Sequence, residues 1–384
     1  MTARRQSRQP RGEPIDAGKS TSAAENAAAI DAEQAHQPTW KTIVKRAVPL
    51  AVAGAAIYLV LPALIKVLGE WPRLSVLNPV WFTVALAAEI VAFTCNFALQ
   101  RLALRTRGWF AVVTAGLAGN AVTNSLPGGD AAGAAVQFSM LATAGFDTDT
   151  AVGGLTTFSL LGIGGLLALP VFALPAILVG VPVSRGLVHT ALLGLGGFVL
   201  YAISGVILLR TDRPLAVLGR AAQKVWNRVT CGRRPPLTGL DTRLLAERNT
   251  IRAVLGRQWW QAVLLTAGRL GFDYACLLAV LRATGADPQP SLVLLAYSAA
   301  SIIGLFPVTP GGLGVVEASL SGLLILAGTG SGHAFLATLA YRIASYWLPL
   351  LAGLPAYLLF RHRYGRLGSH RATQAADGQS APQQ

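Results

Sequence analysis

The chain has 384 residues, of which 53% are hydrophobic and only 13% are charged, which excludes a water-soluble globular protein. Its formal net charge is +15, but the basic residues gather outside the apolar stretches without interleaved aromatic residues, so the charge indicates membrane topology and no nucleic-acid partner. The three cysteines form no CxxC pair, so neither a disulfide framework nor a zinc site is predicted.

The basic residues predict the topology. Of the 32 Lys and Arg, 26 lie before residue 47, at 101–107, at 210–257 or after residue 360. The positive-inside rule places these segments, and hence both termini, on the cytoplasmic side of the cell membrane. Polar composition predicts disordered cytoplasmic tails at 1–42 and 363–384. Between them lies a transmembrane domain at 43–362, which contains the basic cytoplasmic loop 210–257.

The first half contains regular spans and one interruption. Apolar runs at 47–68 and 79–104 are each long enough to cross a hydrocarbon core of about 30 Å. Residues 111–145 then form two shorter apolar stretches, broken at the sequence NSLPGGD (124–130). Each stretch is too short to span, so a re-entrant hairpin or two tilted half-helices are predicted. Full spans follow at 152–178 and 187–209.

The second half has a similar order. A span at 259–281 is followed by apolar stretches at 291–305 and 314–327, interrupted at PVTPGGLG (307–314), and by a last span at 334–360. The predicted fold class is therefore an all-α integral membrane protein, a polytopic helical bundle with two broken or re-entrant helical hairpins.

The two interruptions are similar to one another. Residues 127–145 and 310–328 match at seven of 19 positions without a gap, at an offset of 183. The charge pattern makes the first hairpin open inward and the second outward, which is typical of an inverted-topology repeat with a substrate site near the midplane. Chance similarity between Gly- and Ala-rich segments is the alternative.

Glu89, Arg269 and Asp273 fall inside predicted spans, where an unpaired charge costs about 2.5–3.5 kcal/mol on insertion scales. Arg269 and Asp273 are four residues apart on one helix, so they either neutralise each other or serve a proton-linked function. Glu89 has no basic neighbour in its own span. Its carboxyl group is either a structural group, protonated or bonded across helices, or a functional one.

Two further charges accompany the second interruption. Glu317 follows the PGG sequence, and Arg342 lies in the next helix. A guanidinium can bind phosphate, and a half-helix starting near Gly314 would present free N–H groups to the same anion, which predicts a lipid-phosphate site. A structural Glu–Arg salt bridge is the alternative. At the first interruption, Asn124 and Asp130 either join a headgroup site or satisfy backbone groups freed at the break.

Residues 301–328, 339–353 and 120–137 carry a family resemblance. They resemble the transmembrane, flippase-like region of the lysylphosphatidylglycerol synthases and their stand-alone relatives. The resemblance implies a membrane protein that moves or handles lipids. It covers residues 45–362, and only a short polar segment follows the last span, so a stand-alone member without the soluble aminoacylating domain is expected.

The resemblance also implies a set of site residues. In the second signature and its following helix, the matching positions are Pro310, Gly311, Gly312, Gly314, Glu317, Tyr341 and Arg342. In the first signature, many relatives carry an Arg where this chain has Gln137. The first hairpin therefore departs from the family's pattern at the place where a phosphate-binding Arg would be expected.

Two functions follow from these observations. The leading hypothesis is a flippase-like protein that translocates an anionic phospholipid or a polyprenyl-phosphate-linked lipid across the cytoplasmic membrane. The alternative is a non-transporting partner that docks a glycosyltransferase or lipid-modifying enzyme through the basic loop. A membrane enzyme is disfavoured because no HExxH, GxSxG or Walker lysine occurs, and no metal or cofactor is predicted.

Overall fold

In a computed structural model of the protein, the described residues are 77–126, 128–178, 185–211, 240–305 and 309–379, with isolated positions between 217 and 227. All of them belong to one compact unit, Ala56–Gln384. The predicted span at 47–68, the predicted tail at 1–42 and much of the basic loop lie outside the described residues.

The described part of the chain is helical and has no strands. Its first half contains α1 (Pro79–Ala103), α2 (Trp109–Ser125), α3 (Asp130–Thr143), α4 (Thr148–Leu178) and α5 (Arg185–Arg210). Its second half contains α6 (Leu240–Ala283), α7 (Pro290–Gly304), α8 (Val315–Leu326), α9 (Ser331–Arg342) and α10 (Leu348–Gln379). A short 3₁₀ turn, Pro310–Gly312, precedes α8, and a π-helical segment, Ile343–Trp347, joins α9 to α10.

Local sequence explains several helix starts. The Asn78 side chain accepts the Val80 N–H at 3.0 Å ahead of α1, and proline occupies an early position of α1 and α7. Ahead of α4, Asp147 Oδ2 accepts the Thr150 N–H at 2.9 Å. These hydrogen bonds from Thr150 hold the pKa of Asp147 below its usual range.

Among the described residues, four segments are long and apolar enough to cross a bilayer. They are Pro79–Ala103, Thr148–Phe172, Gln258–Ala283 and Ser331–Tyr364. Large apolar side chains on these helices and on α5 are exposed, as expected where lipid rather than water surrounds the protein. The prediction of a polytopic helical membrane protein is confirmed.

The helices pack in two apolar clusters. Residues of α1, α6, α7, α8 and α9 form the larger one, with α1 and α6 in extensive contact. The smaller cluster joins α2, α3 and the middle of α10 around Val112 and Leu141. The first broken hairpin therefore rests on the last helix.

Both predicted interruptions are present. The arms of the first hairpin, α2 and α3, have 17 and 14 residues, so they are about 25 and 21 Å long. The arms of the second hairpin, α7 and α8, have 15 and 12 residues. All four are shorter than a hydrocarbon core of about 30 Å, as the sequence predicts.

The internal repeat extends to the backbone conformation. Gly128 has φ 62°, and its counterpart in the second repeat, Gly311, has φ 53°. Gly145 and Gly328 form a second equivalent pair, with φ 97° and 91°. These values lie in the left-handed region, which glycine adopts without steric cost. The helices α4 and α9 also begin at equivalent positions of the repeat. Two independent backbone matches make chance similarity of composition a poor explanation.

Two helices differ in length from their predicted spans. α6 begins at Leu240, well before the predicted start at residue 259, and its dihedral angles are non-helical at Gln258 (φ −119°, ψ 20°). The kink separates an N-terminal arm from the apolar span. α10 continues to Gln379 and so extends into 363–384. The order of that predicted tail and the domain boundaries stay predictions.

Close contact between α2 and α3 makes Gly133 sensitive to substitution. A Cβ at Gly133 would lie 2.0 Å from Thr123 Oγ1 and 2.5 Å from the Gly119 carbonyl oxygen. We therefore expect Gly133→Ala to force the arms apart and to lower the free energy of unfolding by about 1–3 kcal/mol. The measurement is the thermal unfolding midpoint in detergent.

Gly322→Ala is the matched control, because a Cβ at Gly322 in α8 meets no atom within 4 Å. It should leave the midpoint unchanged or raise it, since alanine favours helix over glycine. Equal midpoints for Gly133→Ala and wild type would show that the two arms are not closely packed.

Candidate functional site

The second break is built from glycines with left-handed backbones. Gly311, Gly312 and Gly314 have φ values of 53°, 70° and 83°. Any other residue type would be strained at these positions. The three glycines turn the chain sharply from the 3₁₀ turn into α8, and they leave Gly314 as the residue that precedes the first turn of that helix.

Glu317 and Arg342 form an ion pair at this break. Arg342 Nε donates to Glu317 Oε1 at 2.6 Å, and the two side chains are 10% and 25% exposed. Glu317 Oε2 accepts the Gly314 N–H at 2.6 Å. Arg342 Nη2 donates to the Gly311 carbonyl oxygen at 2.9 Å. The structure therefore contains the salt bridge that the sequence leaves as one of two interpretations.

The position of Glu317 has an electrostatic reason. Its carboxylate lies in the first turn of α8, where the N–H groups and the helix dipole favour a negative charge. This is the location at which the sequence predicts a bound phosphate. In the structure, the carboxylate of Glu317 takes that anion's place.

Tyr346 connects the two breaks. The Arg342 guanidinium carbon lies 4.1 Å from the centre of the Tyr346 ring, and the Tyr346 hydroxyl donates to the Asn124 carbonyl oxygen at 3.0 Å. Gly311 must be glycine for this contact, because a Cβ there would lie 2.2 Å from the ring. At the first break, Asn124 Nδ2 also donates to Asn120 Oδ1 at 2.9 Å.

The helix is irregular next to Arg342. The π-helical segment Ile343–Trp347 begins at the following residue and carries Tyr346. π-bulges inside α-helices are frequent at functional sites, because the extra residue changes which side chains face inward. Here the segment brings Arg342 and Tyr346 against the same break.

The structure does not bring all predicted headgroup residues together. Gly311, Gly314, Glu317, Arg342 and Asn124 share one cluster, which we call the break cluster. Gly312 lies in the same turn.

Asp130 and Tyr341 differ from the other predicted headgroup residues. Asp130 begins α3 and is exposed, and no contact with the break cluster is described for it. The side chain of Tyr341 is directed to another group of residues, because its hydroxyl donates to Asp273 Oδ1 at 2.8 Å.

A second polar cluster surrounds Asp273. Tyr297 and Tyr341 donate their hydroxyls to the two oxygens of this carboxyl group. Glu89 on α1 is 6% exposed and faces Asp273 and Cys276 on α6. Within the described residues, Glu89 Oε2 has no hydrogen-bond partner. A buried carboxyl group beside a second one thus lies between α1 and α6.

Neutralisation of Asp273 by Arg269, one of the two interpretations of this pair, is not accompanied by a direct ion pair. Among the described residues no ion pair within 4.0 Å joins the two side chains. Arg269 Nη1 instead lies 3.3 Å from the position that a Cβ of Gly162 on α4 would take. Spacing of four residues permits a contact on a helix but does not require one. Here the hydroxyls of Tyr297 and Tyr341 bind the two oxygens of Asp273.

Two residues make contacts that the sequence patterns did not predict. Buried Gln137 donates through Nε2 to Gln100 Oε1 at 3.0 Å and so connects α3 to α1. Gln137, which departs from the expected family pattern, therefore has a structural partner for its amide. Tyr346 was also missed, although it is four residues after Arg342, a spacing that places side chains on the same helix face.

The comparison with known families agrees with this architecture. The family described as the lysylphosphatidylglycerol synthase TM region matches residues 47–353. The chain belongs to this family. It is also similar to a UPF0104 membrane protein from Methanothermobacter thermautotrophicus, with 38% identity over 87 residues. That alignment covers 23% of this chain and 24% of the relative. The family resemblance stated from the motifs is confirmed.

The ion pair leads to a prediction about stability. Arg342→Gln leaves the carboxylate of Glu317 without its charged partner, so the free energy of unfolding should fall by about 2 kcal/mol or more. The double variant Arg342→Gln/Glu317→Gln should recover part of this loss, because no unpaired charge remains. Chemical unfolding of the four proteins of this double-mutant cycle in detergent measures the coupling.

Arg361→Gln serves as the control, since Arg361 is exposed on α10 and should change stability little. Additive effects of the two substitutions at the break would show that Glu317 and Arg342 are not coupled.

Proposed function

We propose that this membrane protein translocates a lipid that bears a phosphate, and that the phosphate binds at Arg342. The observation that carries this proposal is a buried guanidinium at a helix break inside a membrane domain. Arginine presents five N–H donors, and the bonds to Glu317 and Gly311 use two of them. The remaining donors contact no acceptor among the described residues, so they are available to a phosphate.

Binding would proceed by exchange of anions. The carboxylate of Glu317 bonds both Arg342 and the N-terminal turn of α8, two groups that also favour phosphate. A lipid phosphate that also binds the guanidinium donors not used by Glu317 and Gly311 would displace Glu317 from Arg342. Glu317 then acts as the resting counter-ion, which keeps the buried positive charge compensated when no lipid is bound.

The contacts of Tyr346 would transmit this exchange to the first hairpin. A phosphate on Arg342 changes the surroundings of the stacked Tyr346 ring, whose hydroxyl holds the Asn124 carbonyl group. Release of that hydrogen bond would free the two breaks to move relative to each other. Proteins with inverted repeats expose a midplane site to the two sides of the membrane by such relative movements.

The substrate classes that fit are an anionic phospholipid and a polyprenyl-phosphate-linked lipid, because both carry the phosphate. The proposed location is the cytoplasmic membrane, with both termini on the cytoplasmic side, and anionic lipids would be partners of the basic loop. The proposed protein is a transporter and not an enzyme in its own right. Glu89 and Asp273 are candidates for a proton-linked role in such transport.

Translocation in proteoliposomes tests the proposal. Fluorescent phosphatidylglycerol and a fluorescent polyprenyl phosphate are tested in separate vesicles, and a membrane-impermeant reductant quenches the outer leaflet. Wild type should allow quenching beyond the outer-leaflet fraction for at least one probe. Arg342→Gln should slow this phase by about tenfold or more, since hydrogen bonds to charged groups contribute about 1.5–3 kcal/mol.

Two controls make the result specific. Arg361→Gln removes an exposed arginine and should translocate like wild type. Glu317→Gln should bind the phosphate lipid more tightly than wild type, because it removes the competing anion. Each variant is used only as a monodisperse fraction after size-exclusion chromatography. If Arg342→Gln is as fast as wild type, Arg342 is not on the lipid path. If wild-type and empty vesicles behave alike with both probes, the docking function becomes the better explanation.

A further inference from the structure

A large apolar cavity lies between α4, α5 and α6, away from the break cluster. Its volume is about 1000 Å³, at the upper end of the range of ligand pockets. Each helix lines it with residues three or four positions apart, so each contributes one face. On α4, for example, the lining residues include Leu160, Gly164, Ala168 and Phe172.

Glycines leave part of this volume open. Gly205 on α5 and Gly271 on α6 line the cavity, and a Cβ at either position would meet no atom within 4 Å. An apolar space of this kind gives water few hydrogen-bond partners. In a membrane protein, the available apolar occupant is the hydrocarbon of the bilayer.

The two tyrosine hydroxyls in the cavity wall have partners in the protein. The Tyr201 hydroxyl donates to the Leu160 carbonyl oxygen at 2.7 Å. The Tyr274 hydroxyl donates to the Pro290 carbonyl oxygen at 2.5 Å. These tyrosines present their rings to the cavity without needing a polar ligand, so the part of a ligand that lies beside them is expected to be apolar.

The dimensions fit a hydrocarbon chain that lies along the helices. The lining residues of α4 run from Thr156 to Phe172, which corresponds to about 24 Å at 1.5 Å per residue. A hydrocarbon core is about 30 Å thick. The cavity is therefore nearly as long as the hydrocarbon core is thick and longer than one leaflet.

Among the described residues that form the cavity wall, one is charged. It is Arg248, in the arm of α6 that precedes the kink at Gln258. The other lining residues of α6 lie at Val263 or later. Trp259, which is 59% exposed, stands between these two groups. Tryptophans favour the interface of a bilayer, so the arm with Arg248 is at the level of the lipid phosphates.

We infer that this cavity binds the tails of one glycerophospholipid, with the lipid phosphate against Arg248. The ligand class follows from the combination of a long apolar space with a single guanidinium at its interfacial end. This site is distinct from the break cluster, with which it shares no residue, and it does not rest on the proposed translocation. The cavity holds a lipid whether or not a headgroup passes Arg342.

Photo-crosslinking tests the inference. The probe is phosphatidylglycerol with a diazirine on one acyl chain, equilibrated in both leaflets of phosphatidylcholine vesicles that contain the full-length protein. Labelled positions are mapped by peptide mass spectrometry. Wild type should be labelled at lining positions within 156–172, 198–208 and 263–274. Because the probe is present on both sides, labelling does not depend on translocation.

Two glycines of α5 provide matched variants. Gly205→Phe places a ring in the cavity and should reduce labelling of the α6 lining positions by about tenfold, which corresponds to about 1.4 kcal/mol of binding. Gly196→Phe is the control, because Gly196 is also open to substitution but does not line the cavity. Gly271→Leu is a second filling variant, for the case that Gly205→Phe lowers the thermal unfolding midpoint.

Arg248→Gln tests the phosphate contact. It should reduce labelling by the phosphatidylglycerol probe by about tenfold, as expected for loss of a charged hydrogen bond. Labelling by a diacylglycerol with the same diazirine should not change, since this probe has no phosphate. Equal effects on both probes would overturn the role of Arg248. Labelling that is confined to outward residues such as Leu193 and Leu200, and is unchanged in Gly205→Phe and Gly271→Leu, would show surface lipid only.

Discussion

Backbone groups freed where a helix breaks inside a membrane must find partners within the protein, because lipid offers none. The two breaks meet this requirement with side chains. Arg342 binds the Gly311 carbonyl oxygen, and Tyr346 binds the Asn124 carbonyl oxygen. Both side chains come from adjoining segments, α9 and the π-helical segment. The ion pair between Arg342 and Glu317 depends on the position of these two segments. The hydrogen bond from Tyr346 to the first hairpin depends on it as well.

The two repeats share features of backbone conformation, but they differ in their charged side chains. Gly128 and Gly311 share a left-handed conformation at equivalent positions. At the positions of the first repeat that are equivalent to Glu317 and Arg342, the chain has Ala134 and Ser159. The charged cluster is therefore a feature of the second repeat alone. The first hairpin supplies polar backbone and an Asn pair within α2, and its helix α3 is joined to α1 through amide side chains rather than charges.

The two polar clusters are adjacent along the chain. Tyr341 donates to Asp273, and the next residue, Arg342, binds Glu317. A movement of α9 would change both sets of bonds together. This gives a physical route by which the buried carboxyl groups between α1 and α6 would sense the state of the second break.

The sequence by itself determined the helical class, the order of the described spans, both breaks and their repeat, since apolar length and the positions of Gly and Pro are local properties. It also pointed to Glu317 and Arg342 as a pair. Only the tertiary structure decided that Asp273 bonds two tyrosines rather than Arg269, and that an apolar cavity separates three helices. These results depend on helix rotation and on contacts between distant residues, such as Tyr346 and Asn124, 222 positions apart. No local pattern of residues encodes such contacts.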